Sequence, residues 1–329
     1  MKVSRINFTD GGGGTDRQVF GQTLSNYCRF MITGSTQKIQ FYESQGMDLR
    51  PSMVFRDFNA WYHIVVAVDT AQATAANRVK IYVNGVQQTA FDTETYPAQN
   101  ADLHFNKSGT HEFGGSSAYG GYDYFSGLLS HIHLTDGYAY AASDFGSTDS
   151  VTGEWQINTS PSVTYGTNGF FILKDGNSLI DQSTNSNDFT VSTGTLTKTE
   201  DCPSNVYVTL NSLDSDLTAS DKFEYGNTKV NGQTPADRKY YCSLTMGFQG
   251  NGKYYFEGVM LANNYGILGL TSLDAIQDPS YHRYNNEYCG RYDYDYGYNF
   301  EDGQFYKNTS ATAYGGVSWS ANDYFSFAI

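Results

Sequence analysis

Residues 61–85 constrain the fold more than any other part of the chain, because their sequence WYHIVVAVDTAQATAANRVKIYVNG predicts two neighbouring β-strands. Over residues 61–68 both faces of an extended chain are mostly apolar, which is typical of a strand at the centre of a sheet. The alternation returns over residues 79–83 and ends in Asn84-Gly85, a pair that accepts the two positive φ angles of a type I′ turn. The sequence therefore predicts a hairpin that reverses there into residues 86–89.

Length and composition favour an all-β protein with more than one core. The 329 residues are enough for two domains, and 28 tyrosines, 21 phenylalanines and 34 glycines favour sheets joined by turns. The formal charge of −14 argues against binding nucleic acid or anionic membrane, which both need a cationic face. No apolar run approaches the roughly 18 residues of a membrane-spanning helix, so we expect no membrane insertion.

The termini and the cysteines give further expectations. Residues 1–14 lack the apolar core of a secretory signal peptide. The four cysteines, Cys28, Cys202, Cys242 and Cys289, are widely scattered, and none has the spacing of a zinc site. We interpret them as reduced structural thiols.

Several shorter segments outside residues 61–85 also predict regular structure. Apolar alternation and flanking turn residues predict strands at 18–20, 29–32, 38–42, 125–134, 170–173, 253–261 and 265–271. A short helical piece is expected at 139–145. Residues 181–188, DQSTNSND, are predicted to be a surface loop.

Two stretches carry a family resemblance. Trp61, His63 and Asp69, followed by V-K-I-Y-V-N-G, resemble laminin G-like, or concanavalin A-like, sandwich domains, most of all the copies in bacteriophage tail and virion proteins. Residues 125–171 are similar to the same domains, through the run F-S-G…I-H-L-T-D-G…S-D-F-G…T-G-E-W…Y-G-T-N-G-F-F. The resemblance implies a concanavalin A-like jelly roll over residues 1–195.

A polar stretch with a proline, residues 196–204, has the composition of a linker. Beyond it, the segments G-K-Y-Y-F-E, G-I-L-G-L, D-G-Q-F-Y-K-N and N-D-Y-F-S-F-A-I resemble a SPRY domain, which is a second β-sandwich over residues 205–329. That family continues with a closing hairpin, so we expect either a fragment or a neighbouring chain that supplies the remaining strands. The predicted fold is thus all-β, with two tandem antiparallel β-sandwiches, the second C-terminally truncated.

Catalytic motifs are missing from the sequence. The concanavalin A-like shape is shared with laminarinase-type glycosidases, but no Glu-x-Asp-x-x-Glu strand occurs, and neither does a G-x-S-x-G elbow. Residues 247–253 mimic a phosphate loop, yet a strand rather than a helix is predicted to follow. His131 and His133 could bind a metal from one strand face, although the polar face of a strand is the preferred interpretation. We therefore predict a protein that is not an enzyme.

A tyrosine-rich segment, residues 281–306, is the strongest candidate for binding. Within it four tyrosines recur with period two, and a strand that aligns them would present a flat amphipathic surface suited to sugar rings. The alternative is that this face packs inside the sandwich. The ligand-binding candidates are Tyr281, Tyr284, Tyr288, Tyr292, Tyr294, Tyr296 and Tyr298, with Tyr119, Tyr122 and Tyr124 as a second group.

Calcium is the one cofactor considered, because related sandwiches bind it at loop rims through Asp and Asn oxygens. The candidate ligands are Asp175, Asn177, Asp181, Asn185 and Asp188. Their spacing is not that of an EF-hand loop, and a solvated turn is the alternative.

The resemblance implies a non-enzymatic phage virion component, such as a tail fibre or appendage, that binds host cell-surface glycan or protein through sandwich rim loops. Such a protein would be assembled in the host cytoplasm, would act extracellularly in the virion, and would contact other virion proteins. A homo-oligomer, often a trimer, is expected because avidity combines weak sites. The rival is a purely structural virion protein, for capsid decoration or fibre connection, and a third option is a polysaccharide depolymerase.

Overall fold

The computed structural model describes residues 2–4, 16–22, 28–56, 60–115, 124–150, 153–174, 178–198, 208–215, 223–224, 228–230, 242–244, 247, 252–261, 266–272, 289–293, 295–313 and 319–328. The chain divides into two compact units, one of residues 1–209 with 223–229 and one of residues 210–222 with 230–329. Among the described residues no helix is long and apolar enough to cross a membrane. The chain is all-β, as predicted, and the strand pairings described are antiparallel.

The strands of the first unit are short and mostly consecutive. They are β1 (Lys2–Ser4), β2 (Arg17–Gln22), β3 (Cys28–Thr33), β4 (Lys38–Glu43), β5 (Met47–Pro51), β6 (Trp61–Val68), β7 (Val79–Val83), β8 (Val86–Gln87), β9 (Phe91–Thr95), β10 (His111–Phe113), β11 (Leu128–Ser130), β12 (Ile132–Leu134), β13 (Gly146–Thr148), β14 (Trp155–Ile157) and β15 (Phe170–Ile172). Single turns of 3₁₀ helix occur at Ala75–Asn77, His104–Asn106 and Ala142–Asp144. The last of these lies within the predicted helical piece.

Two sheets pack face to face around one core. The six-stranded sheet has the order β10-β2-β3-β4-β5-β9, and the five-stranded sheet has the order β11-β1-β6-β7-β8. Alternate residues of both sheets, such as Phe30 and Phe41 on one and Ile64 and Ile81 on the other, belong to a single buried cluster. This arrangement is a β-sandwich, since each sheet buries one face against the other.

The predicted central strand and hairpin are confirmed. Strand β6 lies in the middle of its sheet, with Ile64 in the sandwich core and Val65 buried on the opposite face, against Ala142 and Phe145. At the turn Asn84 has φ 47° and Gly85 has φ 80°, and β7 then pairs with β8. Both faces of β6 are covered, which explains why its sequence is mostly apolar on both faces.

The predicted strand over residues 125–134 is wrong in one respect. His131 has φ 49°, a left-handed backbone conformation that interrupts an extended chain. As a result β11 pairs with β1 in the five-stranded sheet, whereas β12 pairs with β15 in a separate ribbon. His131 and His133 therefore do not share the face of one strand.

The second unit contains smaller sheets. Its strands, with two that lie at the boundary, are β16 (Leu210–Ser215), β17 (Phe223–Glu224), β18 (Lys229–Val230), β19 (Cys242–Leu244), β20 (Tyr255–Val259), β21 (Ile267–Leu270), β22 (Tyr296–Asn299), β23 (Gln304–Lys307), β24 (Ser310–Ala313) and β25 (Tyr324–Ala328). The order β21-β22-β23-β24 forms a meander, and β20 pairs with β25. Phe300 is buried, and its ring lies 5.2 Å from Trp319 and 5.1 Å from Phe325.

Candidate functional site

The six-stranded sheet has a polar face that points away from the core. Cross-strand pairing places Glu112, Gly21, Arg29, Tyr42 and Asp48 in one row across five strands. The neighbouring row of the same strands points into the core, because successive side chains of a strand alternate between faces. We call the polar side the outer sheet face.

Two groups of contacts organise the outer sheet face. The Arg29 guanidinium carbon lies 5.3 Å from the centroid of the Tyr42 ring, in a cation–π arrangement. Beside them the Asp48 carboxylate accepts hydrogen bonds from Gln40 Nε2 at 2.8 Å and from Arg50 Nε and Nη2 at 3.0 and 2.7 Å. The hydrogen bond to Asp48 raises the pKa of Arg50, which keeps the guanidinium charged.

The members of these groups differ in exposure. Gln40 is buried beneath the others, whereas the Asp48 and Arg50 side chains are 22% and 44% exposed and Tyr42 is half-buried. Gln18, on β2, is also buried and donates from Nε2 to the Gly115 carbonyl at 2.9 Å. The outer sheet face thus offers one aromatic ring and several fixed polar groups to a ligand.

The carboxylates of this row are far apart. Glu112 lies on β10 and Asp48 on β5, four strand spacings away, which at about 4.8 Å per spacing is roughly 19 Å. A glycosidase holds its two carboxyl groups roughly 5–10 Å apart. This pair therefore lacks the geometry for cleaving a glycosidic bond.

The residues that carried the resemblance have structural partners. The Trp155 indole Nε1 donates to His63 Nδ1 at 2.9 Å, and the His63 backbone N–H donates to Asn84 Oδ1 at 2.7 Å. The Asp69 carboxylate accepts from the Ala71 backbone and the Gln72 side chain, at 3.1 and 2.6 Å. They hold the central hairpin and its loop in place.

The two histidines considered as metal ligands also serve packing. His131 is buried, with Nδ1 2.7 Å from Ser130 Oγ. His133 stacks on Phe171 at 3.9 Å, and its Nδ1 lies 2.9 Å from the Tyr165 hydroxyl. Burial, which disfavours the charged ring, lowers the pKa of His133 to about 2. Within the described ranges no group of three or more His, Cys, Asp or Glu could hold a metal ion.

The loop considered for calcium is built around Asp181, which is buried rather than at the surface. Its carboxylate accepts from the Phe171 N–H at 2.8 Å, from the N–H and hydroxyl of Ser183 at 2.8 Å each, and from the Asn187 N–H at 3.0 Å. Burial raises the pKa of Asp181, but these hydrogen bonds outweigh it and lower the pKa. The Asp188 carboxylate in turn accepts from the Asp181 N–H. The predicted surface loop is confirmed, since residues 181–188 form no strand or helix and Gln182, Thr184, Ser186 and Asp188 are exposed, but Asp181 is the buried, hydrogen-bonded centre of this loop.

Calcium binding at this loop stays a prediction. Asp175 and Asn177 lie outside the described residues. Asn185 donates its amide to the carbonyls of Gly166 and Gly169. A carboxylate with four donors has no lone pair left, so a cation would have to displace protein hydrogen bonds at Asp181.

The prediction of one strand that aligns four tyrosines is corrected in part. Tyr292 lies in a turn, where its N–H donates to buried Asp295, and the strand begins only at Tyr296. Tyr296 is exposed and lies beneath the Lys307 ammonium, whereas Tyr298 accepts from the Trp319 indole at 2.9 Å. Tyr292 therefore does not share a strand face with Tyr296 and Tyr298. Tyr124 is exposed, and the remaining candidates, Tyr119, Tyr122, Tyr281, Tyr284, Tyr288 and Tyr294, lie outside the described part of the chain.

Sequence reasoning did not identify the outer sheet face, although a signal was present. The strand predicted at 38–42 carries polar or aromatic residues at every second position (Lys38, Gln40 and Tyr42), and Asp48 and Arg50 repeat the spacing. A period-two polar face is ordinary for a solvent-facing sheet, so it indicated a surface but no site.

One comparison with known proteins gives a match. Residues 6–144 match the model of the concanavalin A-like lectin/glucanases superfamily, which covers every strand of both sheets of the sandwich except β1. This part of the chain is a concanavalin A-like domain, as the sequence predicted. No curated protein and no solved structure matches the chain significantly.

Proposed function

We propose that the protein is a non-enzymatic glycan-binding protein, and that the outer sheet face holds the glycan. The observation that carries the proposal is the Tyr42 ring beneath Arg29, next to the hydrogen-bonded Asp48 and Arg50. An aromatic ring packs on the apolar face of a pyranose, while charged groups beside it exchange strong hydrogen bonds with hydroxyls. The concanavalin A-like lectin/glucanase match supports saccharide as the ligand class.

The biological setting is part of the same proposal. The resemblance of residues 61–85 and 125–171 to phage virion proteins supports a tail fibre or appendage that binds host-surface glycan or protein outside the cell. The resemblance of residues 205–329 to a SPRY domain supports a second binding scaffold. Several such sites in a homo-oligomer, for example a trimer anchored by other virion proteins, would add avidity.

The absence of enzymatic activity is supported by one observation on the outer sheet face and one on the sequence. Its row of side chains separates Glu112 from Asp48 by roughly 19 Å. The strand motif of laminarinase-type enzymes is missing from the sequence. A depolymerase that used this row would need a closer pair of carboxyl groups.

Glycan-array screening followed by titration calorimetry tests the proposal. Tyr42→Ala should weaken binding at least tenfold, because the ring supplies the stacking surface. The matched control is Tyr138→Ala, which removes an exposed tyrosine of the same unit that lies off this sheet. Tyr296→Ala tests whether an exposed tyrosine of the second unit, one of the sequence-predicted candidates, contributes to glycan binding instead.

Three results would contradict the proposal. A protein that binds no glycan but associates tightly with capsid or tail would instead be a purely structural virion protein. Release of reducing ends from capsule or lipopolysaccharide would establish a depolymerase. Binding that is lost in Tyr296→Ala but unchanged in Tyr42→Ala would move the site to the second unit.

A further inference from the structure

A groove at the end of the sandwich is separate from the outer sheet face. It has a volume of about 640 Å³ and is lined by residues of three segments, 105–111, 168–170 and 187–189, together with Phe20 and Leu134. We call it the Phe105 groove. Arg29, Tyr42, Gln40 and Asp48 do not line it.

Aromatic rings form the floor of the Phe105 groove. Phe20 stacks on Phe105 at 6.0 Å and on the His111 ring at 5.8 Å, with an interplanar angle of 14° to His111. Phe170 and Phe189 meet edge to face at 4.8 Å. Phe105, His111 and Phe189 are only half-buried, so their rings are accessible to a ligand.

The wall that carries Phe105 is held from inside the sandwich. His104, which begins the 3₁₀ turn, is buried, and its Nδ1 forms a hydrogen bond with the carboxylate of fully buried Glu43 at the end of β4. The Phe105 ring stacks on Phe41 of the core at 4.2 Å. The groove is thus preformed, because its floor is continuous with the core.

The rim supplies acceptors. Asn168 donates from its backbone N–H and Nδ2 to Asp136 Oδ2, at 3.1 and 2.9 Å, and Asn106 donates its amide to Asp136 Oδ1. Asn187 donates to the carbonyls of Thr167 and Gly169, at 3.1 and 2.9 Å. The Nδ2 of each amide thereby donates to the protein, once from Asn106 and Asn168 and twice from Asn187, and among the described residues no hydrogen bond reaches the three amide oxygens. These oxygens remain available to accept from hydroxyl groups.

The charge of the lining excludes an acidic ligand. The one cationic chain in it, Lys107, lies 3.1 Å from Asp102, and Asp188 adds a carboxylate. An anion would find no excess positive charge. An apolar floor with a rim of acceptors instead suits a neutral ring that carries hydroxyl donors, and the volume is in the usual range for small-molecule sites.

We propose that the Phe105 groove is a second saccharide site, which takes a short neutral oligosaccharide independently of the outer sheet face. The inference shares its ligand class with the proposed function but depends on different residues. One chain would then bind two glycan segments, so a single unit would already gain avidity.

Calorimetry of the full chain with a panel of neutral di- and trisaccharides, and with sialylated and sulfated ones, tests the inference. Ser108→Trp places a bulky ring in the groove from an exposed position, so folding should be unaffected. We expect neutral saccharides to bind the groove at least tenfold more weakly in this variant. Ser147→Trp, at an exposed position outside the groove, is the matched control, and thermal melting verifies that both variants fold.

The pattern of losses separates the two sites. Saccharide binding that is lost in Ser108→Trp but retained in Tyr42→Ala supports a site in the Phe105 groove, even if the outer sheet face binds no glycan. Neutral saccharides that bind Ser108→Trp as tightly as the unmodified chain would overturn the inference, as would binding that only Tyr42→Ala removes. A preference for sialylated or sulfated ligands at the groove would refute its assignment to neutral sugars.

Discussion

The half-buried histidine His133, which stacks against aromatic rings, should make the stability of the protein depend on pH in a defined way. Its pKa is lowered from the ordinary value of 6.5 to about 2, because burial between aromatic rings disfavours the charged form. In the unfolded chain the ring takes up a proton below pH ~6.5, whereas in the folded chain it stays neutral. Stability is therefore full above the unfolded pKa and falls as pH decreases toward the folded pKa.

The magnitude follows from linkage. Each pH unit below the unfolded pKa costs about 1.4 kcal/mol, so His133 should remove about 2 kcal/mol from the free energy of unfolding between pH 7 and pH 5. His133→Phe keeps a ring against Phe171 and does not titrate. The difference in free energy of unfolding between the two proteins should shift by about 2 kcal/mol in favour of the variant over this interval.

Urea denaturation at a series of pH values measures this difference. Tyr165→Phe is the control, because it removes the hydroxyl near Nδ1 and leaves His133 buried; its difference from the unmodified chain should stay nearly constant with pH. Equal loss of stability in His133→Phe and the unmodified chain would refute the argument that His133 is neutral in the folded state.

Two further predictions concern stability and are measured by the same denaturation. Asp181→Asn should lower the free energy of unfolding by about 2–4 kcal/mol, because the new amide N–H₂ would face buried donors. The control Asp188→Asn keeps an oxygen acceptor for the Asp181 N–H and should lower it by under about 1 kcal/mol. Equal effects of the two substitutions would contradict the role of Asp181. Gly85→Ala should cost about 2–4 kcal/mol, because the residue has φ 80° and a Cβ would lie 2.3 Å from the Trp155 ring. Gly46→Ala, with φ 96° and open space around it, should cost only the backbone strain, about 1–2 kcal/mol.

Local patterns predicted several strands of the first unit, because these patterns depend only on neighbours in sequence. Period-two apolarity is enough to identify β6 and β7, and Asn84-Gly85 is enough to place the turn between β7 and β8. Exceptions arose where a single residue acts against the pattern. His131 adopts a left-handed conformation and Asp295 turns the chain before β22, and neither deviation is visible in side-chain periodicity.

The sequence by itself determined that the chain is all-β, that residues 61–68 form a central strand, and that no laminarinase-type catalytic motif is present. Only the tertiary structure decided which polar groups are neighbours. Arg29, Tyr42 and Asp48 meet because three strands pair in one register, and the Phe105 groove joins Phe20 to segments between positions 105 and 189. The physical reason is that burial of a shared core determines how strands pair and loops pack. Sequence periodicity indicates only the face of a strand on which a side chain lies.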